Sequence, residues 1–246
     1  MKISIITAVF NNQDKISIAI DSVLNQKYTD IEYIIVDGGS SDNTPAIVNS
    51  YGNKISKFIC EPDKGIYDAI NKGILLATGD VVGILHSDDL FENENLFQLI
   101  ANTFNKTSAD GTYGDLVYVK KDKPEKIIRS WKSCPFEISL LKKGWMPPHP
   151  TLFLKRGIFE KYGPYDTQYQ ISADYDFMLR IFSQPELKFA YIPQVITRMC
   201  MGGASNRSLK NIIRKSKEDL RALRKNNIGG WSALVMKNLS KIGQFF

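Results

Sequence analysis

Val81-Val82-Gly83-Ile84-Leu85-His86-Ser87-Asp88-Asp89 passes from an uninterrupted apolar run straight into a polar turn with two adjacent acids. The run Val81 to Leu85 reads as a buried strand, because β-branched side chains suit a pleated surface and nothing polar interrupts them. Two carboxylates side by side at the end of such a strand repel one another. A divalent cation offsets that repulsion most readily, and Mg²⁺ or Mn²⁺ held by one or two carboxylates plus substrate phosphates is the usual arrangement. The other reading is a solvated loop in which Asp89 caps the next helix. Strand neighbours alternate faces, so His86 is expected to point away from the pair.

Working outward, Ile3 to Val9 and Ile31 to Val36 are runs of the same kind, and a weaker one spans Lys57 to Cys60. Between them, helical spacing appears in Lys15 to Gln26, in Thr44 to Tyr51 after the cap-like Ser41-Asp42, and in Ile66 to Thr78. Strands alternating with helices predict an α/β fold with a mainly parallel central sheet flanked by helices. Ligands are then expected outside the carboxyl ends of the strands. Two further strand ends lie there: Thr7 to Asn12, and Val36-Asp37-Gly38-Gly39-Ser40-Ser41-Asp42-Asn43-Thr44. The Gly pair lets backbone approach a ligand closely, and Asp37 can accept hydrogen bonds from a base or ribose. A tight turn with Ser41 or Asp42 as N-cap explains the same residues. The dinucleotide fingerprint G-x-G-x-x-G does not occur.

Beyond residue 90 the pattern predicts a helix near Asn93 to Phe104, a hairpin around Thr112 to Arg129, a Pro-rich turn at Met146 to Pro150 and a helix from Asp174 to Ser183. With 246 residues, 43% hydrophobic and 24% charged, the chain falls outside the disordered, collagen-like and low-complexity classes. Three widely spaced cysteines, Cys60, Cys134 and Cys200, suit a reduced compartment and read as buried small hydrophobes. No apolar run reaches the roughly 18 residues of a membrane span, and the opening MKISIITAVF is too short for a signal peptide, so a cytoplasmic location is expected. The net charge of +6 is unevenly spread. Residues 207 to 246 hold ten Lys/Arg against two acids, a net +8, whereas residues 1 to 206 hold 22 against 24, a net −2. The composition shift divides the chain into a body, residues 1–206, and a basic amphipathic helical tail, residues 207–246.

Taken in order, Thr7 to Asn12, V-D-G-G-S-x-D-x-T from Val36 to Thr44, Glu61-Pro-Asp-Lys-Gly-Ile-Tyr-Asp-Ala-Ile-Asn-Lys-Gly73 and Ser87-Asp88-Asp89 resemble the motif series of family 2 glycosyltransferases of the GT-A fold. Ala173-Asp174-Tyr175-Asp176 at a helix start resembles that family's second acidic motif, and the likeness covers about residues 1 to 206. The chain departs from the family pattern at Gly38, where many relatives carry Asp, and at Ala173, where many carry Glu. The resemblance implies that Thr7, Asp37, Asp63 and Lys64 line the base and ribose of a nucleotide-sugar donor, that Asp88 contacts the ribose, and that Asp89 binds Mn²⁺ or Mg²⁺ bridging the diphosphate. It implies Asp174 as the base, with Asp176 next in line.

Glycosyl transfer needs a stabilised leaving diphosphate, a positioned acceptor hydroxyl and a group to take its proton. A single base on the opposite face implies inversion at the anomeric carbon. The expected activity is therefore that of a metal-dependent inverting glycosyltransferase of the hexosyl or N-acetylhexosaminyl class. A UDP-sugar is the expected donor, and a glycan or lipid-linked acceptor in surface polysaccharide synthesis the expected recipient. A silent sugar-nucleotide or glycan binding module is the competing reading, opposed by the intact Asp89 and Asp174. A nucleotidyltransferase is disfavoured, because no Gly-rich triphosphate loop with a basic signature follows the first strand. His149, fixed between prolines, reads as an acceptor contact or a structural histidine. Trp145 reads as a sugar-stacking ring or core, and Arg198 as part of a lid over the diphosphate or a surface residue. In the tail, cations alternate with apolar residues, and Trp231, Phe245 and Phe246 are expected on one stripe. That pattern suits an anionic membrane surface, peripheral on the inner face of the cell membrane, or packing on protein. The acidic body offers no groove for nucleic acid.

Overall fold

In the computed structural model, residues 1–120, 123–201 and 209–240 are described. The first half alternates as the sequence predicts: β1 (Ile3–Val9), α1 (Ile16–Leu24), β2 (Ile31–Asp37), α2 (Thr44–Ser50), β3 (Lys57–Cys60), α3 (Ile66–Leu76) and β4 (Val81–Ile84). There follow β5 (Leu90–Phe91), α4 (Leu96–Thr107), β6 (Gly111–Lys120), β7 (Lys123–Trp131), α5 (Ser139–Lys142), β8 (Phe153–Lys155), α6 (Arg156–Tyr162), α7 (Ala173–Phe182), β9 (Phe189–Cys200), α8 (Leu209–Lys225) and α9 (Trp231–Ser240).

One sheet runs β3-β2-β1-β4-β8-β6-β9-β5, with β7 paired to β6. The strands β3, β2, β1 and β4 are parallel. Beyond them the sheet is mixed, because β8 inserts antiparallel between β4 and β6 while β9 runs parallel to β6. The period-two rule sorts the β1 and β2 side chains into two cores. Ile3, Ile5, Val9, Tyr33 and Ile35 pack on the α1 and α4 side, and Ile6, Ala8, Ile34 and Val36 on the α3 and α7 side. Gly73 brings α3 onto β1, since a Cβ there would stand 2.4 Å from Ile6 Cγ2. The helix expected from Asn93 starts later, at Leu96, because the Asn93 side chain instead accepts the Asn95 N–H at 3.0 Å. Only Cys200 of the three cysteines is buried; Cys60 is exposed and Cys134 half-buried.

The division after residue 206 does not separate two cores. Leu220, Ala222 and Leu223 of α8 and Ala233 and Leu234 of α9 belong to the same buried cluster as Phe177 and Phe182 of α7. α9 lies so close to Gly144 that a Cβ on that residue would meet Ala233 O at 2.4 Å. A buried ion pair joins Asp219 to Lys237 at 2.8 Å, with the Lys237 ammonium 3.2 Å from the Tyr175 ring centroid. Among the described residues no helix is long and apolar enough to cross a membrane.

Candidate active site

Asp37 ends β2, is fully buried, and accepts the Ser40 N–H through Oδ1 at 2.6 Å. Its Oδ2 is buried, and burial followed by the Asp37 charge raises the pKa of the nearby Cys60 thiol. Above Asp37 the loops after β1 and β2 are laced together. Asn11 Oδ1 accepts the Ser41 N–H at 2.8 Å, Ser40 Oγ accepts the Asn11 N–H at 2.7 Å, and Thr44 Oγ1 accepts the Asn12 N–H at 3.0 Å. The Asn12 amide donates to Ser87 Oγ at 2.9 Å, which ties these loops to the acidic turn after β4. Asp63 closes the same corner. Its Oδ1 accepts the Gly65 N–H at 2.8 Å, and its Oδ2 occupies the space where a side chain on residue 38 would begin. Lys64 beside it is exposed.

In the acidic turn, Asp89 is buried and accepts the Cys200 N–H through Oδ1 at 2.9 Å, while its Oδ2 is buried without a partner. Burial, reinforced by the neighbouring Asp88 charge, pushes the Asp89 carboxyl well above its ordinary range. Both observations fit a cation between Asp89 and a ligand, because a positive charge would engage Oδ2 and offset both effects. No cluster of three or more His, Cys, Asp or Glu stands ready as a complete protein cage among the described residues.

Asp174, in the first turn of α7, is half-buried, and its Oδ1 accepts the Tyr175 N–H at 2.8 Å and lies 3.2 Å from the Tyr67 hydroxyl. Tyr67 also donates to Ile171 O at 2.6 Å and stacks on Tyr165, whose hydroxyl lies 2.8 Å from His149 Nε2. The His149 ring lies 6.1 Å from that of His86. Burial lowers the pKa of His86, opposed by the charges of Asp88 and Asp174. Burial likewise pushes His149 down to about 4, against the pull of Asp174 and with His86 adding to the decrease. The two acidic motifs thus border one cluster, with neutral imidazoles between them.

The model of the family described as Glycosyl transferase family 2 matches residues 4–163. A PGL/p-HBAD biosynthesis glycosyltransferase of Mycobacterium tuberculosis is 32% identical over 208 residues, covering 82% of this chain and 78% of the relative. The chain belongs to glycosyl transferase family 2. Among solved structures, residues 1–349 of S. aureus TarS in complex with UDP-GlcNAc superpose with a TM-score of 0.70 at 15% identity, over 93% of this chain and 66% of that one. The mannosyltransferase PcManGT from Pyrobaculum calidifontis, in complex with GDP-Man and Mn²⁺, gives 0.66 at 17% identity, over 96% and 68%. These likenesses concern the fold, which is GT-A.

Thr7 and Arg198 stand away from the site, and Trp145 takes the core position given as its alternative. The Thr7 side chain is fully buried with its hydroxyl 3.1 Å from that of Tyr33, in the core beneath the sheet rather than against a nucleotide. Trp145 packs with Tyr113, Phe136 and Phe182 in an aromatic cluster, because the apolar surface there outweighs any sugar contact. Arg198 is not poised as a lid. It lies on β9, where it grips the Glu92 carboxylate with two bonds at 2.6 and 2.8 Å and donates to Pro124 O at 3.1 Å. The Gly-containing segment after it, residues 202–208, lies outside the described residues, as do Phe245 and Phe246. Asp176 is no alternative base, since its buried carboxylate is bound by Arg180 at 3.0 Å, Lys225 at 3.4 Å and Asn226 at 3.1 Å. The sequence reading passed over Tyr67, Asn71 and Tyr165. The spacing of Tyr67 and Asn71, one helical turn apart within a quoted motif, was the available signal.

Proposed function

We propose that this glycosyltransferase transfers a sugar from a nucleoside-diphosphate donor, a UDP-sugar in the first instance, to a hydroxyl of a glycan or lipid-linked saccharide, with inversion. The observation that carries this reading is that Asp89 keeps a buried Oδ2 without a hydrogen-bond partner, while His86 of the same turn leads through His149, Tyr165 and Tyr67 to Asp174. Asp37 and Asp63 receive the donor's base and ribose, and Asp88 the ribose on the far side. Mn²⁺ or Mg²⁺ would be held by Asp89, where it supplies Lewis-acid neutralisation of the departing diphosphate. Asp174 Oδ1 is occupied by Tyr175 and Tyr67, which leaves Oδ2 to take the proton of the attacking hydroxyl. As that proton arrives, the acceptor oxygen bonds the anomeric carbon and the bond from that carbon to the diphosphate oxygen breaks. Asp174 as the single base of this reading favours direct displacement with inversion. His149 is buried with its Nε2 2.8 Å from the Tyr165 hydroxyl, which favours a structural role over an acceptor contact.

A thermal-shift panel of UDP-, GDP- and dTDP-sugars with and without Mn²⁺ identifies the donor, since a ligand at 100 times its Kd adds about 2.7 kcal/mol. Asp174→Asn should then lower nucleotide release by roughly 10² to 10⁴ while donor binding survives. Release at the wild-type rate overturns the assignment.

The tail supports a second element of this reading, peripheral attachment to an anionic membrane. Ile212, Ile213 and Trp231 are exposed around a groove of about 740 Å³ whose rim carries Lys217, Arg221, Arg224 and Lys225. Apolar side chains ringed by cations match the headgroup boundary of an anionic bilayer, such as the inner face of the cell membrane. Sedimentation with phosphatidylglycerol vesicles, weakened but not abolished by high salt, is the expected result. No sedimentation at low salt excludes it.

A further inference from the structure

Asp174 follows a turn, residues 170–172, whose backbone is gripped from two sides by elements distant in sequence. From α8, one carboxylate does most of the holding: Glu218 Oε1 accepts the Gln170 N–H at 3.1 Å, and Oε2 accepts those of Ile171 at 2.8 Å and Ser172 at 2.9 Å. From α3, the Tyr67 hydroxyl donates to the carbonyl of the same Ile171 at 2.6 Å and lies 3.2 Å from Asp174 Oδ1. Asn71, one turn further along α3, clamps Tyr165 by both its N–H, at 3.0 Å, and its C=O, at 2.8 Å, which fixes the ring against which Tyr67 stacks. The tail holds the residues that follow Asp174 as well. Lys237, paired with Asp219, covers the Tyr175 ring, and Lys225 and Asn226 bind the Asp176 carboxylate.

We infer that the C-terminal helices are a positioning element for the base, and that Glu218 is its principal positioning residue. This rests on Asp174 being the base. A carboxylate accepting three N–H groups just ahead of a helix also complements the positive end of that helix. Glu218 therefore sets both the path of the turn and the direction in which α7 presents Asp174. Tyr67 opposes it on the other face of Ile171. A base must stand within hydrogen-bond reach of the acceptor hydroxyl, and a displacement of about 1 Å costs on the order of 10²-fold in rate. Glu218 touches neither donor nor acceptor in this account, so its loss should act on turnover and leave donor affinity alone.

The test is a double-mutant cycle in the full chain, using the nucleotide sugar that stabilises the protein most in the thermal-shift panel. Nucleotide release gives kcat, and titration with UDP and Mn²⁺ gives donor-site affinity. Glu218→Gln should lower kcat by roughly 10- to 10²-fold with UDP affinity unchanged, and should have little further effect in an Asp174→Asn background, because residues acting through one another are not additive. Tyr67→Phe, which removes the opposing bond with little change in volume, should behave in the same way and carries the cycle if Glu218→Gln does not fold. An equal loss from Glu218→Gln or Tyr67→Phe with and without Asp174 overturns the inference while sparing the base assignment. So does weaker UDP binding that accounts for the whole defect. Wild-type turnover in Asp174→Asn overturns the base assignment and this inference together.

Discussion

A Cβ placed on Gly38 would stand 2.3 Å from Asp63 Oδ2, closer than any two such atoms can approach. Gly38 therefore makes room for a carboxylate supplied from the segment after β3. The clashing atom is the end of a side chain and not backbone, so the fold can accommodate a methyl group by moving Asp63. Gly38→Ala should shift Tm by no more than a few degrees, yet raise the KM for donor several-fold with kcat little changed. An unaltered KM would detach Asp63 from donor binding.

His149 is buried and neutral, its pKa pushed from 6.5 down to about 4 by burial first, with Asp174 opposing and His86 assisting. The unfolded chain therefore binds a proton that the folded chain refuses between those values. Stability from this source is fully present above pH 6.5 and is lost as pH falls towards 4, by up to about 3 kcal/mol. Denaturant titrations across that window should show a shallower pH dependence in His149→Asn than in the wild type. Parallel curves would mean that His149 is not the group that senses acid.

Lys237 and Asp219 are both almost fully buried, with side-chain exposures of 5% and 3%. Removing one partner leaves the other charged in apolar surroundings, so Lys237→Met should destabilise the protein by about 3 to 5 kcal/mol. Combining it with Asp219→Leu should recover much of that loss. A single variant as stable as the wild type would show that water reaches the pair.

Deletion of residues 207–246 should not release an independently folded catalytic body. It strips Leu220, Leu223 and Leu234 from a core shared with α7 and exposes the apolar face beneath them. The truncated chain is expected to aggregate or to lose cooperative unfolding by circular dichroism. A soluble fragment with a sharp transition would restore the boundary near residue 206.

Much of the catalytic half was legible because its signals are local. Apolar runs ending in polar turns located β1, β2 and β4, and the acids at their ends fell where the parallel part of the sheet opens. The helix expected from Asp174 is α7, which begins one residue earlier. What escaped depends on orientation and on distant partners. Thr7 follows the strand alternation, which sends its hydroxyl to Tyr33. Arg198 is claimed by Glu92, far back in the chain and just past the end of β5. The tail looked like an appendage because its cations dominate its composition. Its attachment rests instead on Glu218 and Asp219, the two acids that composition alone treats as noise.

The bond between Asp89 and the Cys200 N–H joins residues 111 positions apart, and it carries a consequence for the order in which the molecule is made. During synthesis, the parallel strands β1 to β4 emerge first and can pair, but Asp89 has no anchor until β9 leaves the ribosome. The strand β6, at Gly111, likewise waits for its parallel neighbour at Phe189. Pairings of such long range are slow to close and leave strand edges exposed in the meantime. A nascent chain thus has no anchored acidic turn until 111 further residues have followed Asp89. The acidic turn is therefore among the last parts of the sheet to settle, because its anchor lies on a strand made long after it.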